Sequence, residues 1–221
     1  MEIYILAEGQ TEERFIKDIL APSFRANRVF IKPILLPTSK GHSGGAVNFD
    51  RFLRNVRNTL KQYPDAIVTT MFDLYALSPS FPSFDEASRI QDVYQRVFLL
   101  ESALHSHVIK VFNCDEKRFI AYIQPYEFEG LLFSDIEQLV SIEAGWEFSQ
   151  DELQSIVDSV LTPEHINDGF DTKPSARLKM LSPKYKKTRH GPLIAKRVSL
   201  AVMESKCKHF SEWIEKLRLV G

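Results

Sequence analysis

The sequence has little cysteine, almost no net charge and no long apolar run. Only two of its 221 residues are cysteines, Cys114 and Cys207, and they fit no metal or redox spacing, so we expect reduced thiols in a cytoplasmic protein. The 28 basic and 29 acidic residues nearly cancel, which excludes a global field that attracts nucleic acid or membrane. No apolar run is long enough to span a bilayer, and the first residues lack the basic start and cleavage site of a signal peptide.

A nucleotide-binding glycine signature, internal repeats and low-complexity segments are also absent. The missing signature makes phosphoryl transfer to a small molecule the least favoured function for this sequence. A glycine- and serine-rich stretch at 37–46 contains Lys40, His42 and the Gly44-Gly45 pair, but it lacks the spacing of a P-loop. We interpret it as a flexible connector, with a phosphate-contacting loop as the alternative.

What is present predicts a packed α/β protein. Hydrophobic residues make up 44% of the chain, and 16 residues are phenylalanine. Alternating strand and helix patterns predict a mostly parallel sheet flanked by helices, with a core at 1–135 and a helical region at 136–221 packed on it. Strands are predicted at 3–7, 29–36 and 66–72, with a further pair, favouring a hairpin, at 108–113 and 119–124. Helices are predicted at 12–25, from 48 or 50 to 63, from 85 or 88 to 106, and at 136–144, 150–161, 174–181 and 193–217.

The opening of the chain places an acid at the end of a buried strand. The apolar run 3–7 is typical of a strand covered on both faces, and it ends at Glu8-Gly9. We expect Thr11 to cap the helix that follows, with Glu12 in its first turn. Ligands bind at the carboxyl edge of open α/β sheets, so Glu8 is a candidate site residue. The ordinary alternative is a solvated acid in a loop.

Three further acids follow strand ends. Asp73 ends the strand at 66–72, and Glu127 and Glu129 follow Pro125 after the last predicted strand. Because parallel strands can be neighbours in a right-handed layout, these carboxylates are expected to converge. If the segment around Glu127 is helical, only one of its two glutamates faces the site. Converging carboxylates raise each other's pKa, and a divalent cation such as Mg²⁺ or Mn²⁺ removes that repulsion.

These motifs resemble the Toprim fold of topoisomerases, primases and nucleases of the overcoming-lysogenization-defect type. The resemblance rests on the strand that ends in Glu8-Gly9, on Thr11-Glu12-Glu13, and on the strand that ends in Asp73. A longer set is similar to the bacterial domain of unknown function 4276. That set comprises YEFEGLLFSD from Tyr126, Lys173-Pro174-Ser175, HGPLIA from His190, and the end around Phe210 and Trp213.

The resemblance implies roles for individual residues. Glu8 matches the Toprim glutamate, a general acid/base or metal ligand, and Asp73 matches the first aspartate of the Asp-x-Asp motif. Tyr75 stands where the second aspartate is expected, so Glu127 or Glu129 substitutes or the metal site is weakened. The resulting metal-ligand candidates are Glu8, Glu12, Asp73, Glu127 and Glu129, and the catalytic candidates are the same residues without Glu12.

A basic stretch precedes Gly191-Pro192. Local positive charge of this kind can hold a phosphate backbone, although lysine clusters are as often plain solvated surface. The nucleic-acid-binding candidates are Lys173, Arg177, Lys186, Lys187, Arg189 and His190. His190 is more often a hydrogen-bonded structural residue, and Pro192 suits the first turn of a helix.

Together these patterns predict a Mg²⁺-dependent Toprim-like nuclease. The resemblance implies a bacterial defence-type module in which an ATPase partner acts with the protein. The alternative is a non-catalytic, Toprim-like subunit that binds such a partner, which the tyrosine at position 75 favours. The proline- and phenylalanine-bearing loop at 78–84 is a candidate contact for it.

Overall fold

A computed structural model describes residues 1–36, 47–167, 169, 171–182 and 184–220 of the chain. The possible phosphate-contacting loop at 37–46 lies outside the described residues. The described chain forms a parallel sheet flanked by helices, as predicted, and the sheet order is β2-β1-β3-β4 with β5 also paired to β3. The strands are β1 (Glu2–Ala7), β2 (Phe30–Leu35), β3 (Ile67–Asp73), β4 (Phe119–Ile120) and β5 (Ile123–Gln124).

Helices connect the strands and then form the C-terminal half of the chain. The first six are α1 (Gln10–Phe15), which continues through a π-helical turn (Ile16–Leu20) into α2 (Ala21–Phe24), α3 (Phe49–Gln62), α4 (Phe84–Ala87), α5 (Val93–Phe112) and α6 (Glu129–Leu132). The C-terminal six are α7 (Ile136–Val140), α8 (Gln150–Asp158), α9 (Pro174–Leu181), α10 (Lys187–Val198), α11 (Leu200–Lys206) and α12 (Lys208–Leu219). None of these described helices has the length and apolar character needed to cross a membrane.

Both faces of the sheet are covered, which explains why β1 is almost continuously apolar and why β3 is buried along its whole length. All seven residues of β3 are buried. On one face, Ile3 and Ile5 pack with α1 and the C-terminal helices, where Trp213 stacks on Tyr122 with ring centroids 4.2 Å apart. On the other face, Phe72 packs with α3 and α5. A strand buried on both faces has no solvent-facing side, so apolar residues predominate in it, and the two buried threonines of β3 form hydrogen bonds with Tyr122 and Trp213.

The central pairing places two strand ends side by side. β1 pairs in parallel with both β2 and β3, so the carboxyl ends of β1 and β3 adjoin. Pro33 lies in β2, which is an edge strand, where its missing amide donor is tolerated. The pairing of β1 with β3 is the feature that brings the acids after these strands to one edge of the sheet.

Three local predictions are wrong in the region 1–135. The segment 108–113 is not a strand, because α5 continues to Phe112, and β4 and β5 pair in parallel with β3 instead of forming a hairpin. The long helix begins at Val93 after the Asp92 cap, and not at Asp85 or Ser88. Thr11 is buried inside α1, whose cap position is Gly9.

Two further predictions are wrong in the helical region, and the first concerns Pro192. It lies inside α10, which begins five residues earlier than Pro192 at Lys187, so the proline is not in the first turn. The predicted helix at 193–217 is therefore replaced by three consecutive helices, α10, α11 and α12. A break at Ser199, with φ 78°, separates α10 from α11, and Cys207 separates α11 from α12.

Candidate functional site

The turn after β1 positions two acids through a close backbone contact. Glu8 follows the last residue of β1, and Gly9 is the cap position of α1. A Cβ built on Gly9 would lie 2.8 Å from Glu12 Oε2. Because Gly9 has no side chain, the buried carboxylate of Glu12 folds back over the turn. Both acids therefore lie at the carboxyl end of β1.

Asp73 joins them from β3. It is the last residue of that strand and is buried, and its Oδ1 accepts a hydrogen bond of 2.7 Å from the Phe128 backbone N–H. This bond fixes the segment that carries Glu127 and Glu129 against the end of β3. The backbone of Asp73 partly offsets the rise in the pKa of the Glu8 carboxyl, so the two strand ends lie close together.

The Lys187 ammonium lies between three of these carboxylates. Its Nζ is 3.1 Å from Glu129 Oε2, 3.3 Å from Asp73 Oδ2 and 3.6 Å from Glu12 Oε1. Lys187 is the first residue of α10, so a cation from the C-terminal half reaches acids from three other segments. The tight packing of α10 on α1 allows this approach, since a Cβ on Gly191 would meet Thr11 Cγ2 at 2.8 Å.

The two glutamates of the segment after β5 separate. Glu129, at the start of α6, is fully buried in the cluster, where its Oε1 accepts a hydrogen bond of 3.2 Å from the Tyr185 hydroxyl. Glu127 instead accepts bonds of 3.0 Å from the backbone and the hydroxyl of Ser175, and it forms a 3.0 Å ion pair with Lys173. Of these two glutamates, only Glu129 contacts the Lys187 ammonium.

The acidic cluster (Glu8, Glu12, Asp73 and Glu129) has few hydrogen-bond donors. Glu8 Oε2 is buried without one, whereas Glu12 Oε1 and Glu129 Oε2 have the Lys187 ammonium as a partner at 3.6 Å and 3.1 Å. Burying several carboxylates around one cation is costly, so this edge of the sheet is electrostatically strained.

The pKa values of the cluster show the same strain. Burial raises the pKa of Glu8 to about 7, and the negative charge of Glu12 adds to the increase. Burial also raises the pKa values of Asp73 and Glu129 against the opposing effect of Lys187. Burial alone would lower the pKa of Lys187, but Asp73, Glu129 and Glu12 raise it well above its usual value. The lysine is therefore charged, while the carboxyls hold protons more readily than exposed acids.

The donor chemistry of the cluster suits a hard divalent cation, but Lys187 lies among the donors. All four side chains offer oxygen, the ligand that Mg²⁺ and Mn²⁺ prefer, and Glu8 Oε2 is buried without a hydrogen bond. Over the described part of the chain, however, no three His, Cys, Asp or Glu side chains are placed so that they could hold a metal ion as they stand. The oxygen chemistry suits the ion, whereas the present arrangement is occupied by the Lys187 ammonium.

The basic candidates divide into inward and outward groups. Lys173 pairs with Glu127, and Arg177 donates to the Thr172 carbonyl oxygen at 2.6 Å. Lys186 and Arg189 are exposed on either side of Lys187. They line a cavity of about 520 Å³ together with Glu143, Ala144, Gly145, Trp146, Lys184 and His190.

His190 and Arg189 differ in how they contact that cavity. His190 is buried, and its Nδ1 accepts a hydrogen bond of 2.8 Å from the Lys186 backbone. Arg189 pairs with Glu143 at 2.8 Å. The histidine thus has structural partners, whereas Lys184 and Lys186 place positive charge at the surface.

Sequence reasoning did not find two residues that hold the site together. Tyr185 orients Glu129, and Ser175 holds Glu127 outside the cluster. The sequence also predicts that Lys187 contacts a nucleic-acid phosphate, whereas the structure places its ammonium among carboxylates. A tyrosine between lysines and a serine after a proline carry no pattern that predicts a partner about 50 residues away.

Comparison with known proteins identifies the family. The profile of a domain of unknown function, DUF4276, matches residues 7–218. The chain belongs to the DUF4276 family. The match includes every residue of the acidic cluster and Lys187.

Comparison of this DUF4276 chain with curated proteins gives no match. Two solved structures resemble it, both of the C-terminal region of the Xanthomonas campestris pv. campestris OLD protein, one phased with mercury and one with iodine. Their identities are 15% and 16% and their TM-scores are 0.41 and 0.40, and each alignment covers 98% of the DUF4276 chain and 97% of the other.

Proposed function

We propose that this DUF4276 protein is a Mg²⁺- or Mn²⁺-dependent, Toprim-like nuclease that hydrolyses phosphodiester bonds in nucleic acid. One observation carries the proposal: Glu12 after β1, Asp73 at the end of the neighbouring strand β3, and Glu129 converge around one positive charge, the Lys187 ammonium. Ligand sites of open α/β sheets lie at this edge. A divalent cation bound there would polarise a phosphate oxygen and lower the pKa of attacking water.

The residues at this site would have different roles in such a reaction. Glu12, Asp73 and Glu129 are buried and fixed by neighbouring groups, which suits ligands. Glu8 is partly exposed, and a pKa of about 7 lets its carboxyl accept and return a proton near neutral pH. The exposed Lys184 and Lys186 lie close to Lys187 along the chain, where they would hold the phosphate backbone.

A cleavage assay tests this function. Purified protein is incubated with supercoiled plasmid, single-stranded DNA and RNA, in Mg²⁺, Mn²⁺ or EDTA. Metal-dependent cleavage should fall by about 100-fold or more in Glu8→Gln and in Asp73→Asn, because each removes a charge from the cluster. Glu13→Gln is the matched control, since Glu13 pairs with Lys17 on the outer side of α1. Cleavage that survives the Glu8→Gln, Asp73→Asn double change would refute the nuclease.

A second function is favoured by the contacts of Lys187 and by Tyr75. The ammonium satisfies part of the acidic cluster without a metal, and Tyr75 replaces the second acid of the Asp-x-Asp pattern. In that case the protein is a non-catalytic subunit that binds a partner, for which an ATPase of a bacterial defence-type module is our candidate. Stable co-purification with an ATPase, together with no cleavage by the assembled complex, would favour this function.

A further inference from the structure

The cavity at the start of α10 carries an excess of positive charge. It has a volume of about 520 Å³, and its wall contains three cationic side chains, Lys184, Lys186 and Arg189, against one acid, Glu143. A concave site of this size is large enough for a small organic ligand. Cations that line one space repel one another, so this cationic cavity attracts an anion.

Two donors in the cationic cavity converge on one oxygen. Arg189 Nη2 donates to Glu143 Oε1 at 2.8 Å. The Nδ1 atom of the buried His190 accepts a hydrogen bond from the Lys186 backbone, so the ring proton is on Nε2, which lies 3.2 Å from the same Glu143 oxygen. The Glu143 side chain is 38% exposed, so a carboxylate from the cavity rim fills a position that is suited to an oxyanion. The oxygen of a bound anion would find the same two donors.

Tyr185 lies between the cationic cavity and the acidic cluster. Its ring centroid is 5.8 Å from that of His190 and 6.3 Å from that of Trp146, and both of these rings line the cavity. Its hydroxyl donates to Glu129 on the other side. Of the described residues that line the cavity, none belongs to the acidic cluster. The cavity is therefore a separate site that shares one side chain with the cluster.

We propose that the cationic cavity binds the phosphate of a phosphomonoester, either the terminal phosphate of a nucleic-acid strand or that of a free mononucleotide. Such a phosphate carries about −1.5 to −2 charges at neutral pH, which matches three cations less one acid. Its three terminal oxygens suit the planar fork of Arg189 and the neighbouring ammonium groups. A strand end as the source rests on the proposed function, whereas the binding itself requires neither a metal nor cleavage.

Titration calorimetry in EDTA tests the cavity with two pairs of ligands that differ only by a phosphate. The first pair is adenosine and adenosine 5′-monophosphate, and the second is a short single-stranded oligonucleotide with and without a terminal phosphate. In at least one pair the phosphate should tighten binding by about tenfold or more, because it adds charge-assisted hydrogen bonds. A gain with the mononucleotide supports a free nucleotide as the ligand, and a gain confined to the oligonucleotide supports a strand end. No gain in either pair would overturn the proposal.

Two substitutions with opposite expected effects locate the phosphate. Arg189→Gln should weaken binding of the phosphorylated ligand by at least about fivefold, and it breaks only an exposed ion pair, so the fold should be retained. Lys196→Gln, at an exposed cation later in α10, is the matched control and should change binding by less than about twofold. Glu143→Gln should instead tighten binding by at least about threefold, because it removes a negative charge from the cavity wall and releases Arg189.

The outcomes separate this site from the nuclease. Weaker binding by Glu143→Gln, or equal losses in Arg189→Gln and Lys196→Gln, would contradict the cavity as the phosphate site. Because these titrations contain EDTA, a failure of metal-dependent cleavage leaves their result unchanged. Cleavage without any effect of the phosphate on binding would reject the cavity and leave the nuclease standing.

Discussion

The contact between Gly191 and Thr11 sets how closely two helices of the site approach. Thr11 is buried in α1, next to Glu12, and Gly191 lies one turn after Lys187 in α10. A Cβ on Gly191 would lie 2.8 Å from the Thr11 methyl group. The missing side chain therefore allows the Lys187 ammonium to come within reach of the Glu12 carboxylate.

Gly191→Ala should destabilise the protein by about 1 kcal/mol, because the steric conflict outweighs the gain in helix propensity. Urea unfolding gives the free energy of unfolding. In a Thr11→Ser background, which removes the methyl group but keeps the hydroxyl, the same change should become neutral or stabilising. Equal effects of Gly191→Ala in both backgrounds would show that the methyl contact does not limit the approach of the helices.

Single residues of the site differ in how far the sequence could predict them. The sequence predicts the positions of Glu8 and Asp73 at strand ends, and the structure confirms them, because a buried strand is marked by its own apolar run. The contacts of Lys187 were not predictable, since 114 residues separate it from Asp73. Nothing in the sequence distinguishes Lys187 from Lys186. Only the packing of α10 on α1 directs one ammonium inward and leaves the other exposed.

At the scale of elements, one buried carboxylate joins α12 to the rest of the chain. Glu164 precedes α9 and is fully buried, and it accepts hydrogen bonds of 2.9 Å and 3.0 Å from the backbone N–H groups of His209 and Phe210. The Tyr94 hydroxyl of α5 donates to the same carboxylate at 2.8 Å. The backbone N–H groups in the first turn of α12 thus donate to a side chain from a distant segment. These bonds fix the position of α12 against Glu164.

Glu164→Gln should lower the free energy of unfolding by about 2 kcal/mol, because an amide nitrogen replaces one of the two oxygens that face backbone donors. Thermal and urea unfolding measure the loss. Glu212→Gln, at an exposed acid of the same helix α12, should change stability by less than about 0.5 kcal/mol. If the two variants were equally stable, the capping role of Glu164 would be wrong.

The elements also show where local sequence patterns mislead. The apolar residues at 108–113 suit a strand, but they continue the helical period of α5, and Val108 completes its buried face. Asn113 then ends the helix in the left-handed conformation, with φ 46°, which asparagine tolerates. That asparagine was the available signal for a helix end. The parallel pairing of β4 and β5 with β3 depends on contacts distant in sequence, which short patterns do not encode.

At the scale of the whole molecule, the acidic cluster is assembled from both halves of the chain. β1 and β3 bring Glu8, Glu12 and Asp73 to one edge of the sheet, and α6 adds Glu129. Lys187 comes from the helical region predicted at 136–221, so the site is complete only when that region packs on the sheet. The alternation of strand and helix patterns predicts the general α/β architecture. The contact of α10 with the site could not be predicted from those patterns, because it depends on how distant segments pack.

The central claim is that the acids at this edge of the sheet bind a divalent cation. Anomalous diffraction from crystals grown with Mn²⁺ tests it most directly, because it locates the metal itself. We predict an anomalous peak within coordinating distance of Asp73 and Glu129. Mn²⁺ bound elsewhere, or an edge of the sheet without a peak, would contradict it.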